Sequence, residues 1–111
     1  MTRPVVSVRK FAGGPGLNLW LWCPGCDGPH TVTVADETGK APSVGPVWTW
    51  NGDVDAPTIQ ASILVTSHAA GVEVLRCHSF VEEGRWRYLA DSTHALAGQT
   101  VDVPPMPEGW P

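Results

Sequence analysis

Short apolar and β-branched runs recur along the chain, each broken within a few residues by Gly, Pro, Asn or Asp, and this spacing predicts strands rather than helices. Eight segments fit: residues 5–11, 17–22, 30–35, 47–50, 58–66, 72–81, 85–90 and 99–103. Asn51-Gly52-Asp53 and Glu82-Glu83-Gly84 supply residues that tolerate positive φ and read as hairpin turns. Residues 91–98 form the one helical turn, with Asp91 or Ser92 as N-cap and Gly98 as its stop. The proline-rich stretch 104–111 should run extended, with Trp110 pinning it to the body. The expected fold is all-β and mainly antiparallel: a small compact sheet or sandwich with at most one short helical turn.

Composition narrows this picture. A chain of 111 residues is expected to form one domain, 1–111, and 42% hydrophobic against 16% charged residues is enough to collapse. With 12 Gly and 11 Pro, turns are frequent and helix is the minority state. A net charge of −4, with seven scattered Lys and Arg, argues against nucleic acid as a partner. No run approaches the roughly 18 apolar residues that cross a membrane, and the first residues lack the apolar stretch of a signal peptide. Three cysteines cannot all pair within one chain, so a reducing, cytoplasmic setting with thiols free for metal is expected.

Cys23-Pro24-Gly25-Cys26 is a C-x2-C knuckle in which Pro24 fixes φ and Gly25 permits the tight turn, so both sulfurs can face one ion. Cys77, at the end of the run from Val72, is the third thiol of an expected Zn2+ site. Inert buried thiols or a redox pair are the competing readings, although a redox C-x2-C ordinarily opens a helix in a βαβ unit. The fourth ligand is the open question. His78 is favoured, yet neighbours on a regular strand point to opposite faces, so it joins Cys77 only where the strand bulges or ends. His30, His94 and water are the alternatives.

If the metal keeps an open position, bound water can ionise near neutral pH and a neighbouring group must take its proton. Asp91 and His94, three residues apart, are the candidate proton carriers, and Ser62 and Ser79 the candidate substrate-orienting hydroxyls. The plainer reading is that Asp91 caps a turn, His94 packs beside it and both serines are ordinary strand residues. Trp20 with Trp22, and Trp48 with Trp50, alternate so that each pair lines one strand face, as core filling or as an aromatic wall for an extended ligand. No serine elbow, P-loop, H-E-x-x-H or deaminase motif occurs.

Cys23-Pro24-Gly25-Cys26 with His30, Trp48-Thr49-Trp50-Asn51-Gly52, Pro57-Thr58-Ile59 with Ser62, Cys77-His78-Ser79-Phe80, and Asp91 through Gly98 together resemble a family of small bacterial and phage proteins of unassigned function, often mislabelled as ammonia monooxygenase. The resemblance spans most of the chain from about Leu19 to Val103. Some bacterial relatives sit beside ubiquitin-like conjugation enzymes and are regarded as peptidases that trim the ubiquitin-like protein. Those relatives carry Ser-His-Phe after the cysteine, where this chain has His78-Ser79-Phe80. The resemblance implies a zinc-dependent hydrolase of peptidase type acting on a peptide or protein, such as a ubiquitin-like one. The alternative is a noncatalytic zinc-stapled β module that binds a host or phage protein.

Overall fold

The computed structural model describes residues 4–110, and every regular element among them is a strand. β1 (Ser7–Lys10), β2 (Leu17–Cys23) and β3 (Gly28–Val34) form one antiparallel sheet in that order. β4 (Thr49–Trp50), β5 (Ile59–Ala69), β6 (Val72–Glu82), β7 (Arg85–Tyr88) and β8 (Thr100–Asp102) form a second, also antiparallel and in chain order. The all-β architecture expected from the strand pattern is the one observed. A parallel bridge between Val34 and Trp48 links the two sheets.

Strand periodicity builds the core. On β2, Leu19, Leu21 and Cys23 alternate inward, and the register pairs Leu21 with His30 and Leu19 with Val32, so His30, Val32 and Val34 of β3 share that face. The second sheet contributes Ile59, Ile63, Cys77, Ser79, Val81, Trp86 and Tyr88, all buried. Trp86 is fully enclosed, stacks at 5.9 Å on Tyr88, and donates its indole N–H to the carbonyl of Trp22 at 2.9 Å. One side chain thus supplies apolar burial and a hydrogen bond from the second sheet to the backbone of the first.

The tryptophan pairs divide as the alternation requires. Trp20 and Trp22 face away from the core: the Arg9 guanidinium lies over Trp20 at 4.7 Å, and Trp110 meets Trp22 edge-on at 5.4 Å. The tail is therefore pinned through Trp110, as its sequence suggests, while Pro111 lies outside the described residues. Trp48 and Trp50 are half-buried and pack against the core from its margin.

Three local expectations change. Asn51-Gly52-Asp53 is not a two-residue hairpin but the start of a longer loop, because Asn51 bridges it: its side chain accepts the N–H groups of Asp53 and Thr58 and donates to the carbonyl of Ala56. β5 and β6 run on to a tight turn at Ala70-Gly71, both at positive φ (52° and 80°), so this hairpin is longer than the apolar pattern suggests. Residues 91–98 are a chain of tight turns, Ala97 N–H to His94 O and Gln99 N–H to Leu96 O, with no continuous helix. No helix among the described residues is long and apolar enough to cross a membrane.

The loop after β3 is fastened to the start of β2 by Asp36. Its carboxylate accepts the N–H groups of Gly16 (3.0 Å), Thr38 (3.0 Å) and Lys40 (3.1 Å) and the Thr38 hydroxyl (2.6 Å). These bonds, Gly16 foremost, hold the Asp36 carboxyl far below its usual range. A carboxyl depressed in the folded state stabilises fully above its unfolded value, about pH 4, and loses that contribution as the pH falls through the folded one. Asp36→Ala is expected to melt below the wild type at pH 7, and thermal melts taken at successively lower pH should show the gap closing below about pH 4.

Candidate functional site

The Cys23–Cys26 knuckle is the turn between β2 and β3. Cys23 ends β2, Asp27 takes positive φ (53°), and the chain re-enters at Gly28, the register partner of Cys23. Within the turn the Cys26 N–H donates to the Cys23 sulfur at 3.4 Å. Cys77 arrives from β6 of the other sheet, its Sγ 3.9 Å from that of Cys23. His30 joins them because it pairs with Leu21 and so projects from the inner face that carries Cys23. The ligand atoms of Cys23, Cys26, His30 and Cys77 all lie within 4.8 Å of one another, and these four residues can hold a metal ion.

The donors suit a cation. His30 Nε2 is enclosed and makes no hydrogen bond, which costs free energy unless something takes up its polarity. Three sulfurs and one imidazole are a soft tetrahedral set. The thiols hold their protons unequally. Hydrogen bonding from Cys77 holds Cys23 down to about 3 against desolvation, whereas burial and then the charge of Cys23 push Cys26 up to about 11. The hydrogen bond to Cys23, then burial, pushes Cys77 up as well. A bound cation is the partner that allows all three to ionise together. The Tyr88 hydroxyl stands 3.0 Å from the Cys23 sulfur, and burial raises its pKa, so it stays protonated and donates to that sulfur.

His78, expected beside Cys77 on the metal, is placed elsewhere, and His30 stands in its position. The pleat explains this: β6 is regular here, Cys77 and Ser79 face the core, and His78 faces out with its register partner Leu64. Its Nδ1 instead lies 3.1 Å from Oδ2 of Asp91, which also accepts from Arg76 at 3.2 Å. Desolvation opposes ionisation of Asp91, but the bonds from His78 and Arg76 outweigh it and hold the carboxyl below its usual range. The backbone of His78 is clamped as well: its N–H donates to Ser92 Oγ at 3.0 Å, and that hydroxyl donates back to the His78 carbonyl at 3.1 Å.

The remaining expected residues separate. His94 does not join Asp91 and His78; its ring lies over the knuckle, with Nε2 3.4 Å from the Cys77 sulfur and the ring edge-on to Tyr88 at 4.5 Å. Ser79, expected to orient substrate, is fully enclosed with its hydroxyl unpartnered, because it shares the inward face of Cys77. Ser62 directly precedes Ile63, where β5 shifts register against β6, and its carbonyl accepts the Trp48 indole N–H at 3.0 Å. Two contributors escaped the sequence reading. Tyr88 carries no motif signal beyond being a lone tyrosine in an apolar strand, and Ser92 reads only as a helix cap.

A family model described as "Bacterial ubiquitination-like system serine protease (BubE)" matches residues 3–89, most of the chain. The matched stretch includes the four clustered residues, Ser62 and His78, and ends just before Asp91. Its description names a serine protease and says nothing of a metal. No curated protein and no solved structure matches the chain.

Elemental analysis of the purified protein is expected to give one metal ion per chain. His30→Ala should lose it and His78→Ala should keep it; the reverse pattern would restore His78 as the ligand. Cys77→Ser should lose the metal and the cooperative thermal transition together, since a structural zinc can contribute about 10 to 16 kcal/mol of apparent binding energy to folding.

Proposed function

The chain belongs to the family of bacterial ubiquitination-like system serine proteases, and from that membership we propose that it is a serine peptidase in which zinc is structural. In this reading Cys23, Cys26, Cys77 and His30 close the coordination shell, leaving no position at which metal-bound water could attack. Zinc then supplies cohesion between the two sheets, and the zinc-dependent hydrolysis suggested by sequence gives way to chemistry on the other side of β6.

The observation that carries the proposal is the His78–Asp91 pair at 3.1 Å on the outward face of β6. A carboxylate only accepts, so Nδ1 of His78 carries the proton and Nε2 keeps a lone pair for use as a base. Ser62 is the serine we assign as nucleophile. Ile63 and Ser79 are register partners pointing inward, and Leu64 and His78 are partners pointing outward. Ser62 lies in the irregular stretch of β5 between Ile59 and Ile63, half-buried and two residues before Leu64, the register partner of His78. Ser62 Oγ would attack the scissile carbonyl carbon while His78 Nε2 takes its proton. The tetrahedral intermediate would collapse to an acyl-enzyme as His78 returns that proton to the departing amine, and water would complete hydrolysis by the same route. Asp91 orients the imidazole and offsets its transient charge.

The substrate proposed is the C-terminal extension of a ubiquitin-like protein, the class that the sequence resemblance implies and that suits a protease of a ubiquitination-like system. Reaction with a fluorophosphonate probe followed by peptide mass mapping tests the nucleophile without knowledge of the substrate. One adduct on Ser62 is expected, lost in Ser62→Ala and His78→Ala; labelling confined to another serine, or none at all, would remove Ser62 from the mechanism. Asp91→Asn should retain the metal yet slow both labelling and cleavage of an extended ubiquitin-like protein, by about 10^3 to 10^4 for cleavage.

A further inference from the structure

We propose that His94 is a positioning residue that donates its Nε2–H to the Cys77 sulfur and so fastens the Asp91 segment to the metal centre. The proposal rests on the reading of His78–Asp91 given above, and it assigns His94 a task different from both proton transfer and metal ligation. The tautomer is the first argument. The Leu96 N–H donates to His94 Nδ1 at 3.2 Å, so Nδ1 is an acceptor, and in a neutral imidazole the proton then sits on Nε2. A nitrogen that carries a proton cannot coordinate a cation. At 3.4 Å from the Cys77 sulfur, Nε2–H is placed as a donor to a thiolate instead.

Packing is the second argument. The ring stands edge-on to Tyr88, which itself bonds the Cys23 sulfur, and it occupies the space that a side chain at Gly25 would need: an ideal Cβ there would stand 2.4 Å from His94 Cε1. The knuckle glycine and the His94 imidazole are therefore complementary shapes.

Connectivity is the third. Going down the segment, Asp91 meets the His78 side chain, Ser92 clamps the His78 backbone, the Thr93 N–H donates to the Arg76 carbonyl at 2.8 Å, and His94 meets Cys77. Residues 91–94 thus read residues 76–78 of β6 one after another. Adjacent residues of β6 serve the two centres, Cys77 inward and His78 outward, and His94 and Asp91 are their respective partners on one short loop. With His94 in place, the carboxylate that orients His78 is held by the same thiolate that holds the metal.

The experiment uses the full metal-loaded chain. With 113Cd in the site, nitrogen-detected NMR should show a 113Cd coupling to the His30 ring and none to His94, whose proton should reside on Nε2. A coupling to His94 would make it a ligand and overturn the proposal. Amide hydrogen exchange over residues 91–97 should accelerate at least tenfold in His94→Ala with metal content unchanged, and in Gly25→Ala, whose added methyl displaces the ring. His94→Gln, which keeps an N–H near the position of Nε2, should restore much of the protection. Exchange at the wild-type rate in both Ala variants, or loss of metal from His94→Ala, would contradict it. Fluorophosphonate labelling of Ser62 should slow in His94→Ala. A wild-type chain that does not label while these exchange changes appear would reject the serine mechanism and retain the tether.

Discussion

Three sulfurs and one imidazole, drawn from two separate sheets, meet at one point inside the core, and the rest of the molecule is arranged around that meeting. A chain of this size buries a limited share of its surface. Buried Trp86 joins the two sheets through its hydrogen bond to the Trp22 carbonyl near the end of β2, while the cluster joins the turn of the β2–β3 hairpin to the middle of β6. The thiols gathered there repel one another once ionised, so the arrangement gains most when a cation is shared among them. A cation held there would be part of the fold before it is part of any chemistry.

The pleat of β6 then distributes function. Because successive residues face opposite sides, Cys77 and Ser79 belong to the interior, and His78 belongs to the outward face. Metal ligation at Cys77 would fix this strand on one side and with it the imidazole on the other. The loop after β7 exploits this, since its first residues reach His78 and its later ones reach Cys77. The proposed nucleophile, base and orienting carboxylate would come from β5, β6 and that loop, so their alignment would depend on strand register more than on any local motif.

Much of this was legible in the sequence, and the failures have physical causes. The strands were readable because β-branched runs end at turn formers, and the knuckle because Pro24 and Gly25 leave few other conformations for a C-x2-C turn. Which histidine joins the cysteine cluster was not, although the decisive fact was local. His78 adjoins a cysteine and must therefore face away from it on a regular strand, whereas His30 shares the face of Cys23 only through the Leu21 register. Register is a long-range property that spacing alone does not supply. The same holds for Asp91, readable as a cap but not as the partner of His78, and for Tyr88, whose hydroxyl meets Cys23 from another sheet. Asn51-Gly52 misled in the opposite sense: its strong hairpin chemistry serves a wider loop because the asparagine side chain bonds ahead to Thr58.

X-ray absorption at the metal edge of the freshly purified protein tests the central claim most directly. A closed structural zinc predicts three sulfur scatterers at about 2.3 Å and one nitrogen at about 2.0 Å, with no oxygen in the shell. A shell with fewer sulfurs and a water oxygen at about 2.0 to 2.2 Å would contradict it, and would return the hydrolytic chemistry to the metal.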